Sequence, residues 1–267
     1  AVNGLPLHDV SELKRHVAER PVGTVVRYEF QRGEERFERF IATRRFEKIA
    51  FFLLFGSMLM CAAIFGATAL GIRFLRRDRM ATGAFALLAT SAVWGATAPD
   101  LYGPYRLFRL HALAETFLFA SALHMALVFP HPARLLERVP HAIWFLYGVA
   151  VLLAAANQIG LQEPAAYVLT HAMAAWALGL ALFVLIASHI QRFVRPPDFE
   201  ARQRVKVVTF GAVAALAPAM FVALANWVTG RDAAQNAIAF SAPLFPVSIG
   251  YAVLRHNLLE VDAFLRR

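Results

Sequence analysis

From Lys48 onward, apolar residues gather into long runs separated by short polar loops. Before Lys48 they occur only singly or in short alternation. Seven apolar segments follow the change, at about 49–72, 80–98, 107–129, 140–160, 165–190, 206–228 and 235–254. At 1.5 Å per residue most are long enough to cross a hydrocarbon core of about 30 Å. One such run could be a buried helix of a soluble core, but seven in succession predict membrane-crossing helices. The second and seventh are interrupted, the second by Gly83 and Gly95, the seventh by Pro243, Pro246 and Gly250. Pro218 and the two prolines of the last segment predict kinks, since each removes a backbone donor from a helix interior.

Residues 1–46 read as part of a small α/β module. Val10, Leu13 and Val17 put one apolar face on a short helix. Val26, Tyr28 and Phe30 alternate along a strand, Gln31-Arg32-Gly33-Glu34 suits a hairpin turn, and Phe37, Arg39 and Ile41 continue on a second strand. A helix and a hairpin bury little surface, so the module is marginal alone. Residue 1 is Ala and falls inside the pattern, which predicts that further sequence precedes it.

Charge then gives a topology. The chain carries 27 Lys+Arg against 18 Asp+Glu, a formal net charge of +9, with 59% hydrophobic residues. A disordered chain would be less apolar. A soluble nucleic-acid binder this basic would be less apolar too, so no nucleic-acid partner is expected. A single cysteine excludes a disulfide framework. Arg73, Arg76, Arg77, Arg79, Arg134, Arg138, Arg192, Arg195, Arg202, Arg204, Lys206, Arg255, Arg266 and Arg267 all fall on one side of the seven segments. The other side's loops hold only Arg106, Arg109 and Arg231. The positive-inside rule therefore puts residues 1–46 outside and the C-terminus in the cytoplasm. The basic excess lies against anionic inner-leaflet lipid.

Catalytic motifs are absent. HExxH, GxSxG, GxGxxG, a Walker loop and CxxC do not occur, so no catalytic or metal-ligating residue is assigned and no enzyme activity is expected of this chain. What remains is polarity inside the membrane. Glu115 is the one acidic residue well within a segment, and a carboxylate there is costly unless paired, protonated or wet. His111 lies one turn earlier on the same face. With His171, Asn226, Asn157 and Gln158, it could line a cavity open to the outer side. Glu115, His111, His171 and Asn226 are the candidate ligand-binding residues; the bland alternative is a set of interhelical hydrogen bonds. His124, His131, His141, His189 and His256 lie toward the inner side, where a haem held by two imidazoles is an alternative; otherwise no cofactor is expected. His171 and His189 share a face but lie about 27 Å apart.

Three stretches resemble known families. Val2-Asn3-Gly4-Leu5-Pro6, a helix, Pro21-Val22-Gly23-Thr24 and a strand pair resemble the C-terminal half of a bacterial PDZ domain. The resemblance implies a peptide binder lacking half its groove, or a cap on the membrane region. The stretch from Pro243 through Gly250-Tyr251, Arg255-His256-Asn257 and Val261-Asp262 to Arg266-Arg267 resembles the exit of multi-pass sensor histidine kinase input regions. His124-Met-Ala-Leu-Val-Phe-Pro130 is similar to the end of a middle helix in the same regions. This likeness, to the competence-pheromone receptor kinase type, implies a sensor input module that passes a helix movement to a cytoplasmic kinase. Pro243, Pro246, Arg255 and Asp262 would be relay positions, and a homodimer and a peptide or small-molecule ligand at the outer face would be the partners. The expected organisation is an all-α polytopic membrane protein with seven transmembrane helices after a partial PDZ-like module. Its domains are 1–46, a helical domain 47–256 and an exit linker 257–267. A small transporter or channel, or a haem- or quinone-binding membrane protein, is the competing class.

Overall fold

The computed structural model describes residues 1–7, 10–45, 47–102, 105–195, 198–229 and 240–265, with backbone alone over 255–265. It separates into two compact units, Ala1–Phe52 and Leu53–Arg267.

In the first unit, Val2 and Leu5 pair around Asn3 and Gly4, both at positive φ (49° and 80°). This is the geometry that an Asn-Gly turn adopts at little cost. Helix α1 covers Val10–Ala18. Strands β1 (Val25–Arg32) and β2 (Glu35–Ala42) form an antiparallel pair, turning at Gly33 (φ 62°) as the sequence predicts. The register sets Val26 opposite Ile41, Tyr28 opposite Arg39 and Phe30 opposite Phe37, so the two alternating faces coincide. The Phe30 and Phe37 rings stack at 5.3 Å. Val2 bridges to Tyr28 and is buried, as is Val26. A short helix and this small sheet are what residues 1–45 form.

The second unit is helical. A short helix α2 (Lys48–Phe51) and a π-helical turn (Phe52–Gly56) lead into α3 (Ser57–Leu75). There follow α4 (Arg79–Thr97), a 3-10 turn (Ala98–Tyr102), α5 (Phe108–Val128), a one-turn α6 (Arg134–Arg138) and α7 (Ala142–Gly160). Helices α8 (Pro164–Val194), α9 (Phe199–Thr229) and α10 (Leu244–Leu265) complete the unit. Among the described residues, six helices are long and apolar enough to cross a membrane: Phe52–Leu75, Arg79–Tyr102, Phe108–Val128, Ala142–Gly160, Pro164–Val194 and Phe199–Asn226. Their exposed apolar faces, with Trp144, Phe145, Phe183 and Phe210 all uncovered, suit lipid and not water. Helix α5 is central, with α4, α7 and α8 all packed on it. It carries buried small residues on more than one face, including Ala112, Ala120, Ala122 and Ala126, that let backbones approach closely.

The seventh segment departs from expectation. Among the described residues its apolar helix is Leu244–Leu254, too short to count as a crossing. Residues 235–239, where the segment was expected to begin, lie outside the described residues. Ser241 Oγ donates to the Ala215 carbonyl at 2.8 Å, halfway along α9. A Cβ on Gly211 would run into Ser248 and lie 3.0 Å from the Leu244 carbonyl. Helix α10 thus begins beside the middle of α9. From there it reaches Val253, whose carbonyl accepts from Arg76 Nη1 at 2.7 Å just past the end of α3. That path is about 14 Å, half of a bilayer core. The expected kinks at Pro243 and Pro246 are corrected as well. Pro243 precedes the helix and Pro246 lies in its first turn, where no helical acceptor awaits the missing N–H. Both are buried. Pro218 does lie inside α9. Backbone helix covers positions 255 and 262, but the side chains of Arg255 and Asp262 lie outside the described residues.

Candidate functional site

Helices α5 and α8 start at the same end of the bundle and run side by side. On α8, Tyr167, His171, Ala174, Leu178, Ala181, Leu185, His189 and Arg192 recur at steps of three and four, so they share a face. The small Ala174 and Ala181 are buried in that stripe, together with Leu185.

At the start of the stripe, His171 Nδ1 lies 3.1 Å and 3.2 Å from the two carboxylate oxygens of Glu115. The Glu115 side chain is 17% exposed and that of His171 46%. The pair therefore sits at the edge of the bundle, with the carboxylate turned inward. Tyr167, one turn earlier on α8, stacks on the His171 ring at 5.6 Å, and Phe108 packs on Tyr167. His171 thus reaches Glu115 as a shaped group held by an aromatic face.

His111, one turn before Glu115, turns instead toward α4. Its Nδ1 is 3.0 Å from Thr97 Oγ1, and Trp94 stacks on its ring at 5.4 Å. Thr97 also donates to the Val93 and Trp94 carbonyls, so its hydroxyl is oriented from within α4. On the α7 side, Asn157 is buried and its amide donates to Thr170 Oγ1 at 3.2 Å, while its Oδ1 has no partner among the described residues. Gln158 Nε2 donates to the Arg109 carbonyl at 2.8 Å. The structure thus gathers Glu115, His111 and His171, with Asn157 and Gln158 nearby. Asn226 lies on α9, which packs on α8 and α10.

The opposite end of the stripe is a pin. Arg192 Nη1 donates to the Ala126 carbonyl at 2.9 Å and to the Phe129 carbonyl, so it caps acceptors that the end of α5 leaves open. The His189 ring stacks on Phe129 at 5.3 Å, and the Phe129–Pro130 bond is cis. Just beyond, His131 Nε2 meets Asp198 Oδ2 at 2.9 Å. Asp198 also accepts from the Ala201 amide at 2.6 Å at the start of α9. That amide bond, more than the neighbouring His131, holds the Asp198 carboxyl below the ordinary carboxylate range. His124 instead faces Tyr147, at 3.2 Å. His124, His131 and His189 therefore have separate partners, and among the described residues no three His, Cys, Asp or Glu side chains converge on a common point.

Sequence reading missed Trp94, Thr97, Tyr167, Thr170 and Arg192. Arg192 had a signal: it continues the face that His171 and His189 share. The hydroxyls of Thr97 and Thr170 had none, because either could equally have bonded only within its own helix. No protein-family model, curated protein or solved structure matches the chain.

Proposed function

We propose that this chain is the membrane-embedded input region of a bacterial signal-transduction protein of the sensor histidine kinase type. In this reading residues 1–46 are outside, the arginine-rich end of the bundle is cytoplasmic, and the signal leaves through α10. The observation that carries the reading is the Glu115–His171 bridge. It joins two membrane helices at their outer ends, and Arg192 ties the same two helices at the other end. A charge-bearing contact between helices in a low-dielectric setting is costly to hold unpaired. Anything that engages Glu115 or His171 therefore changes the balance of forces between α5 and α8. The movement would reach α10 through α4 and α9, which contact it, and pass Arg255 and Asp262 on the way out. The PDZ-like module serves as a cap or a peptide site, and the working protein is a homodimer.

The test is phosphorylation of the full-length protein in lipid nanodiscs. Incorporation of phosphate from ATP into a histidine, at a rate altered by Glu115→Gln, is expected. Absence of any phosphorylated histidine ends the kinase reading.

A second reading, a small transporter, is favoured by one observation. Helix α10 starts halfway along α9, and discontinuous helices that begin at mid-depth are a transporter feature. Non-helical backbone at that depth is tolerated where it is buried or lines a wet cavity. Solute or ion flux in proteoliposomes carrying the chain alone would favour this second reading over the first.

A further inference from the structure

We infer that the ligand read by the α5–α8 seam is the proton: the Glu115–His171 pair takes up one proton from the outer aqueous phase, and that proton draws α5 and α8 together. The inference rests on the input-region reading above and specifies what its outer site binds.

The argument begins with depth. Helix α8 has 31 residues and is about 46 Å long, well beyond a core of about 30 Å. His171 lies seven residues from its start, about 10 Å along, near the end that the input-region reading puts outside. Its side chain is close to half exposed. The carboxylate it meets is mostly covered. With a neutral imidazole the contact is one hydrogen bond to an anion whose charge has no counter-ion in the pair. With a protonated imidazole it becomes a charge-assisted bond, which is shorter and roughly twice as strong. Only one bond changes: the unprotonated ring nitrogen gains H⁺ and the carboxylate stays ionised.

Among the described residues no Lys or Arg lies within ion-pair distance of Glu115, whose partner is His171. Tyr167 stacks on His171; the neutral Trp94 and Thr97 of α4 lie on His111, and the neutral amides of Asn157 and Gln158 on α7 bond Thr170 and the Arg109 carbonyl. On α5, His111 interacts electrostatically with both Glu115 and His171. It is the one other imidazole of the site, held on Thr97. Arg106, Arg109 and Glu163 lie toward the helix starts, and Asp100 is occupied by the Leu107 amide at 2.7 Å. The readout follows from the pin. Arg192 lies twenty-one residues beyond His171, about 31 Å away, and holds the end of α5 by its carbonyls. A helix fixed at one end and titrated at the other changes its tilt.

The test is a spin-label distance measurement on the chain in nanodiscs, with Cys61→Ala as background. Labels go on Leu110 of α5 and Leu169 of α8, both exposed. A second pair on Leu70 of α3 and Val93 of α4, also exposed, reports whether each variant is folded. Between pH 5 and 8.5 the first pair should exchange a short for a long distance with a one-proton slope, while the second pair stays fixed. Glu115→Gln and His171→Gln should each abolish the exchange, and His171→Lys should hold the short distance throughout. A wild-type distance that ignores pH, or a pH response surviving in His171→Gln, overturns the proton inference. Either result leaves the input-region reading intact, since histidine phosphorylation of the full-length protein decides that separately.

Discussion

Single atoms set the stakes at several positions. The Asn157–Thr170 bond lies in a buried seam between α7 and α8. Interhelical bonds of this kind contribute about 0.6–2 kcal/mol. Asn157→Ala and Thr170→Val should each lower the thermal midpoint in detergent by an amount in that range. The double variant should cost less than the sum, because both remove the same bond. Gly211 is a packing residue, since any Cβ there meets Ser248. Gly211→Ala should destabilise the protein by about 1–3 kcal/mol. Gly179→Ala, where nothing lies within 4 Å, should be neutral or mildly stabilising. The comparison is read by thermal melts of the two variants side by side. Asp198 is different again: it caps α9, and its carboxyl is held below the ordinary range. A depressed carboxylate contributes stability above its unfolded value, about 3.9, and loses that contribution as pH falls through the folded value. Asp198→Ala should therefore cost about 1 kcal/mol at pH 7, typical of a lost cap, and the gap to wild type should close in strong acid. Melts at several pH values check this, and a gap that widens on acidification contradicts it.

At the scale of elements, the contrast between α8 and α10 is instructive. Both were legible as apolar segments. The α8 pattern gives its face as well as its length, because the small and polar residues fall on one stripe that the structure lays along α5. The α10 segment gave a length of about twenty residues, and the structure uses only part of it. The physical reason is proline. Counted as interruptions of a helix, Pro243 and Pro246 predict kinks; placed at a helix start, they cost nothing, and the helix simply begins later. The hairpin shows local signals at their strongest. Gly33 and the alternation on either side set turn and register together, since a two-residue loop leaves no freedom to slip. Helix α5 carried the opposite lesson: its polar residues point to two neighbours, His111 to α4 and Glu115 to α8, although one face holds both.

For the whole molecule, the arginine distribution makes a prediction that can be checked without knowing the ligand. With Cys61 replaced by Ala, single cysteines in place of Arg77, Glu137 and Arg195 should be shielded from an impermeant maleimide in intact cells. A cysteine in place of Gln162 should react. Labelling of both sets, or the reverse pattern, removes the orientation on which the outer site depends. The sequence by itself determined that the chain is a bundle of apolar helices behind a small α/β piece, because length and hydrophobicity alone decide whether a segment prefers lipid. It also singled out Glu115, because a buried charge is conspicuous wherever its partner lies. Only the tertiary structure decided that the partner is His171, fifty-six residues away, that Arg192 ties the far end of the same seam, and that α10 starts halfway through the bundle. Those are relations between helices. Their periodicity shows which residues share a face, but which helix lies against that face depends on how the small residues of all of them pack around α5.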